Sequence, residues 1–145
     1  MTDVEALQEC RLATMEERAL SKQIIRLTMI GGPQGVGSQA IEPAGDRKTN
    51  NRQAANAQRL EGLIEQLEKK REENIDIIQR AERVIERIIS RKDRVVIRYY
   101  YVEGQSEYEI AQELDISRQW VNQRRVAVLD MLKKKISPHG QNILK

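Results

Sequence analysis

Arg118, Gln119, Asn122, Gln123 and Val126 stand close together near the C-terminal end of the chain. Their spacing puts several of them on one face of a helix. Their chemistry is recognition, not bond breaking. Gln and Asn each carry a donor and an acceptor that fit the N6 and N7 edge of adenine, and a Val methyl suits the thymine methyl. Arg118 has the fork that fits a phosphate or a guanine. With Val121 pointing inward, Gln119, Asn122, Gln123 and Val126 point most nearly outward at 100° per residue. Trp120 and Ala127 lie on one flank, where Trp120 either packs on the preceding helix or touches a nucleic-acid backbone. Arg124 and Arg125 fall near the edges of the inward stripe, so one of them is expected to pair with Glu109 or Glu113 instead of a phosphate. Ser117 caps the helix and leaves its N-terminus open to a phosphate. The expected DNA-binding set is Ser117, Arg118, Gln119, Trp120, Asn122, Gln123, Arg124, Arg125 and Val126.

No comparable set supports catalysis. The chain has one His and one Cys, too few for a His/Cys metal cluster within one chain. Its His139 lies in a polar tail after Pro138. One Cys also excludes an internal disulfide framework. Residues 31–51 are rich in Gly and Pro, but no Gly-Lys-Ser/Thr follows and no strand precedes them, so a phosphate loop is rejected. No enzyme activity, cofactor or metal is expected.

Several elements must position the outward face. Residues 91–102 are expected to form a helix with Val96, Ile97, Tyr99 and Tyr101 on its buried side, ended by Gly104. Ser106 and Glu109 form a capping box that opens a short helix from Glu107 to Leu114. Its buried face holds Ile110, Ala111 and Leu114. Asp115-Ile116 make the turn, and Ser117 caps a helix from Arg118 to about Ile136 with Val121, Val128, Leu129 and Leu132 inward. Small Ala111 permits a close crossing, and Ile116 plugs the gap. This is the spacing of a helix-turn-helix, whose second helix enters the major groove.

The charge pattern fits that reading. The net charge is +3, and residues 91–145 hold eleven bases against seven acids. From Ser117 onward there are seven bases and one acid. A basic segment beside an acidic one marks a polyanion-binding surface or two helix faces that attract each other.

Upstream, 145 residues with 3% aromatics favour long, thin helices over a thick core. Residues 3–30 read as a helix capped by Asp3, followed by a linker over 31–51. Over 52–90, Leu60, Ile64, Leu67, Ile78, Ala81, Ile85 and Ile88 follow alternating four and three spacings, a heptad seam. Arg71 and Asn74 interrupt it, as register devices or as a local bend. Such a helix needs a partner: residues 3–30 folded back as a hairpin, or a second copy, giving a homodimer through 52–90. The expected architecture is all-α: a long charged hairpin or coiled coil, a helix-turn-helix over 91–136, and a polar tail over 137–145.

The stretch RVVIRYYYVEGQSEYEIAQELDISRQWVNQRRVAVLDMLKK resembles the fourth region of bacterial sigma factors: a helix ending in Tyr, an E-G-x-S loop, E-I-A-x-E-L, x-I-S-R, V-x-x-R and a Leu-rich end. The wider arrangement resembles phage and prophage late-gene regulators of the ArpU/RinA type. That resemblance implies a transcriptional regulator that binds DNA upstream of packaging, morphogenesis or lysis genes. It maps function onto Arg118, Gln119, Trp120, Asn122, Gln123, Arg124 and Arg125. Regions that melt a promoter have no counterpart here. Gln119-Trp120 and Asn122-Gln123 also depart from the usual sigma choices.

The expected function is sequence-specific binding of double-stranded DNA, with RNA polymerase as a further partner. The alternatives are a DNA-packaging recognition subunit, and a polymerase adaptor that never touches DNA. No apolar run approaches the ~20 residues that span a bilayer, so no membrane partner is expected. The N-terminal residues lack signal-peptide character, so a cytoplasmic protein is expected, and the phage resemblance implies the cytoplasm of a bacterial host.

Overall fold

A computed structural model describes the backbone of residues 1–31 and 46–135, and the side chains of 1–29 and 51–134. The fold is all-α with a C-terminal helix-turn-helix. Helices run over Asp3–Gly31 (α1), Asp46–Glu73 (α2), Ile75–Glu86 (α3), Arg91–Ile97 (α4), Glu107–Leu114 (α5) and Arg118–Lys135 (α6). A π-helical segment, Arg98–Val102, continues α4. Most of the expected linker and all of the expected tail with His139 lie outside the described residues. Helix α2 already begins at Asp46, inside the stretch read as linker.

The chain divides into two compact units. One joins residues 1–15 to everything from Asn74 onward, and the other is Glu16–Glu73. The long helix expected over 52–90 is therefore two helices, broken at Asn74, which is buried at the N-terminal boundary of α3. The regular spacing of the seam hides two different destinations. Ala81, Ile85 and Ile88 enter the core of the first unit, whereas Leu67 is buried in the second and Ile64 stays 39% exposed. In that second unit, Lys70 pairs with Glu16 at 3.3 Å and Arg71 with Glu17 at 3.7 Å. Arg71 thus interrupts the seam because it faces a carboxylate.

The first unit has two connected cores. One gathers Val4, Leu7 and Cys10 of α1, Ala81, Val84 and Ile85 of α3, Ile97, Tyr101, Val128 and Leu132. The first turns of α1 thus cover the back of the helix-turn-helix. They are fixed there by Thr14 donating to the Val102 carbonyl at 2.9 Å and by Asp3 pairing with Arg87 at 2.9 Å. Asp3 is not the cap: Thr2 Oγ1 accepts from the Glu5 amide at 3.1 Å, and Glu5 Oε1 accepts from the Thr2 amide at 3.2 Å. The second core is Val96, Ile110, Ala111 and Val121, with Leu114, Ile116 and Trp120 packed against it.

The π segment joins the two cores. The Glu103 amide bonds to the Arg98 carbonyl five residues back at 3.0 Å. The wider turn distributes three consecutive tyrosines: Tyr99 to the second core, Tyr101 to the first, Tyr100 against both. A regular helix over 91–102 was the expectation, and the extra width is what the run of tyrosines requires.

Candidate nucleic-acid interface

The helix-turn-helix is built by local caps. Ser106 Oγ accepts from the Glu109 amide at 3.1 Å and Glu109 Oε1 accepts from the Ser106 amide at 2.9 Å. Gly104 has φ 72° and Asp115 φ 55°, so both take the left-handed region that ends a helix sharply. Ser117 Oγ accepts from the Trp120 amide at 3.0 Å and starts α6.

On α6, Val121, Val128 and Leu132 are buried while Arg118, Gln119, Asn122, Gln123 and Val126 are exposed. The structure therefore brings five residues of the expected set onto one open face. Ser117 is exposed at the helix start. Trp120 is half-buried on the second core and lines a groove of ≈ 560 Å³ with Arg91, Lys92, Val95, Leu114, Ile116 and Ser117.

Arg124 and Arg125 turn inward instead. Arg124 forms a two-pronged pair with Asp93 of α4, Nε to Oδ1 at 2.8 Å and Nη2 to Oδ2 at 2.6 Å. The Asp93 side chain is only 5% exposed, so this carboxylate depends on that arginine. Arg125 donates from Nε to Glu107 Oε2 at 2.9 Å and from Nη1 to Tyr101 Oη at 3.3 Å. Its guanidinium lies 4.5 Å from the Tyr100 ring centre. Arg11 of α1 lies 3.7 Å from the same centre and donates to the carbonyls of Tyr100 and Gln105. The carboxylates that bond Arg124 and Arg125 are Asp93 and Glu107, where Glu109 or Glu113 was expected.

Glu107 also accepts from Asn122 Nδ2 at 2.9 Å, on the same Oε2 that Arg125 uses. Burial opposes its ionisation, but the bonds from Asn122 and Arg125 and the charges of Arg125 and Arg118 outweigh it. The carboxyl is held below the usual carboxylate range. Burial pushes the Tyr101 hydroxyl up, with Arg125 opposing. Glu107, Asp93, Tyr100, Tyr101 and Arg11 are the supporting residues that spacing alone did not reveal. Acidic positions across from basic ones were the available signal, and they gave the type of contact without the partner.

Among the described residues, no group of His, Cys, Asp and Glu is placed to hold a metal, and no helix is long and apolar enough to cross a membrane. Residues 88–134 match the family model described as Sigma-70, region 4. The C-terminal part of the chain is a helix-turn-helix similar to that module. The match covers about a third of the chain. No curated protein and no solved structure gives a match.

Proposed function

We propose that the protein is a sequence-specific regulator of transcription that reads the DNA major groove with α6. The observation that carries this reading is the open face of Arg118, Gln119, Asn122, Gln123 and Val126, backed by a rigid, buried Val121 side. The match of residues 88–134 to a sigma region 4 model supports it, because that module class binds DNA. Ser117 and Arg118 sit at the helix start for phosphate contact, and Trp120 contributes through its exposed edge. Arg124 and Arg125 act by holding α6 in place.

The wider resemblance to phage and prophage late-gene regulators of the ArpU/RinA type extends the proposal to packaging and lysis genes of a bacterial host. Dimerisation through the helical region before the module is part of that proposal. A second reading, contact with RNA polymerase, is favoured by the apolar groove beside the turn, rimmed by Arg91 and Lys92.

Selection of bound fragments from a random duplex library at ~150 mM salt tests the first reading, because purely electrostatic binding is much weakened there. A recovered motif that Gln123→Ala degrades is the expected result. Binding without a motif defeats it. Reversing the charge of Arg118 separates the two readings: DNA binding falls, while a groove-based polymerase contact persists. Arg124 is unsuited to that test, since its loss strands Asp93.

A further inference from the structure

Asn122, an exposed amide of α6, donates from Nδ2 to a carboxylate of the neighbouring helix, Glu107, at 2.9 Å. A carboxylate offers acceptors only, so the end of the amide that faces Glu107 must be the amino group. The carbonyl Oδ1 then points away from Glu107. An unrestrained Asn turns either end toward a base, whereas this one is held in one sense. Glu107 is itself fixed: its side chain is 14% exposed, and Arg125 clamps it at 2.9 Å while packing over Tyr100. The chain Tyr101–Arg125–Glu107–Asn122 runs from the core to the open face of α6.

We infer that Glu107 is a specificity-determining positioning residue, which locks the Asn122 amide so that its carbonyl oxygen faces the base edges. This rests on the reading that α6 enters the major groove. On the strand that Asn122 faces, an outward acceptor favours a base with an exocyclic amine, adenine N6 or cytosine N4. It disfavours the keto oxygens of guanine and thymine. The discrimination belongs to one position of the site and leaves the others unaffected.

Two measurements on the full chain test this. In the free protein, the side-chain amide resonances of Asn122 should follow protonation of Glu107 as pH falls, with Arg125 and Arg118 as the facing charges. That titration should vanish in Glu107→Gln. An amide that ignores the titration overturns the inference whatever the protein does with DNA. In duplex selection, the position that loses preference in Asn122→Ala should carry adenine or cytosine over guanine or thymine by roughly five- to tenfold. Glu107→Ala should admit guanine and thymine there. Glu107→Gln keeps a carbonyl acceptor for Asn122 and should retain the preference. Arg125→Lys should retain it too. Selection of guanine or thymine by the unaltered protein, or an unchanged preference in Glu107→Ala, overturns the inference. Recovery of no motif defeats the DNA-reading proposal and this inference with it, and the amide titration then still shows whether the pair itself exists.

Discussion

Asp93 and Arg124 show why a basic residue on the proposed reading helix need not face DNA. Breaking a buried ion pair costs ~3–5 kcal/mol, but the Arg124 side chain is 37% exposed and solvent screens part of the loss. Arg124→Ala should therefore lower stability by about 1–3 kcal/mol in urea unfolding. Gln123→Ala, on the exposed face, should stay within ~0.5 kcal/mol of the unaltered protein. If the two variants unfold alike, the division of α6 into a holding side and a reading side is wrong. Glu107 adds a pH dependence with a definite sign. Its carboxyl is depressed in the folded state, so its stabilisation is present above the ordinary value of 4.5 and is lost as pH falls through the folded value. The stability gap between the unaltered protein and Glu107→Gln should be constant near neutrality and shrink below pH 4.5. The outward set Gln119, Asn122, Gln123 and Val126 was legible in the sequence, because helical periodicity fixes direction once Val121 is placed inward. The partners of Arg124 and Arg125 were not, since Asp93 and Glu107 lie 31 and 18 residues away. No local spacing rule selects one carboxylate among several at such separations.

Elements defined by local chemistry were readable in the same way. The capping box of α5, the Gly104 stop and the Ser117 cap all depend on neighbours within a few residues. Ser106→Ala should accordingly cost about 1 kcal/mol in thermal or urea unfolding. The π segment was not legible, because its cause is tertiary: three adjacent tyrosines have to reach two cores at once. Tyr100 is the shared element, with Arg11 at 3.7 Å and Arg125 at 4.5 Å from its ring centre. Each cation–π contact is worth ~0.5–2 kcal/mol depending on desolvation. Tyr100→Ala should lose about 2 kcal/mol or more, whereas Tyr100→Phe should lose far less, since it keeps the ring. Equal losses in the two variants would mean that the hydroxyl, not the ring face, carries the interaction. The heptad seam was legible as apolar spacing but misleading as a single element. Asn74 marks the break, and periodicity alone does not distinguish one long helix from two that change neighbours.

At the scale of the whole molecule, α1 is one continuous helix whose two halves belong to different compact units. Its first half buries Val4, Ala6, Leu7 and Cys10 in the core that also holds Ile97, Tyr101 and Val128. A segment roughly ninety residues upstream is thus part of the fold of the helix-turn-helix, as the Thr14–Val102 bond across 88 positions shows. Stability in such a case follows tertiary burial more than helical continuity. Native-state hydrogen exchange should find the amides from Leu7 to Ala13 protected as strongly as those around Val96, Ile110 and Val121. The amides from Ile24 to Met29, which carry no buried side chain, should exchange much faster despite sharing the helix. Leu7→Ala should cost ~2–5 kcal/mol, because Leu7 is fully buried, and should lower protection in α4 and α6 together. Uniform protection along α1, or a Leu7→Ala effect confined to α1, would show that its first half is an appendage. Protection shared with Val96 and Val121 would instead make residues 1–15 a component of the helix-turn-helix module, so that an excised fragment beginning near Arg91 should be less stable than the same residues in the intact chain.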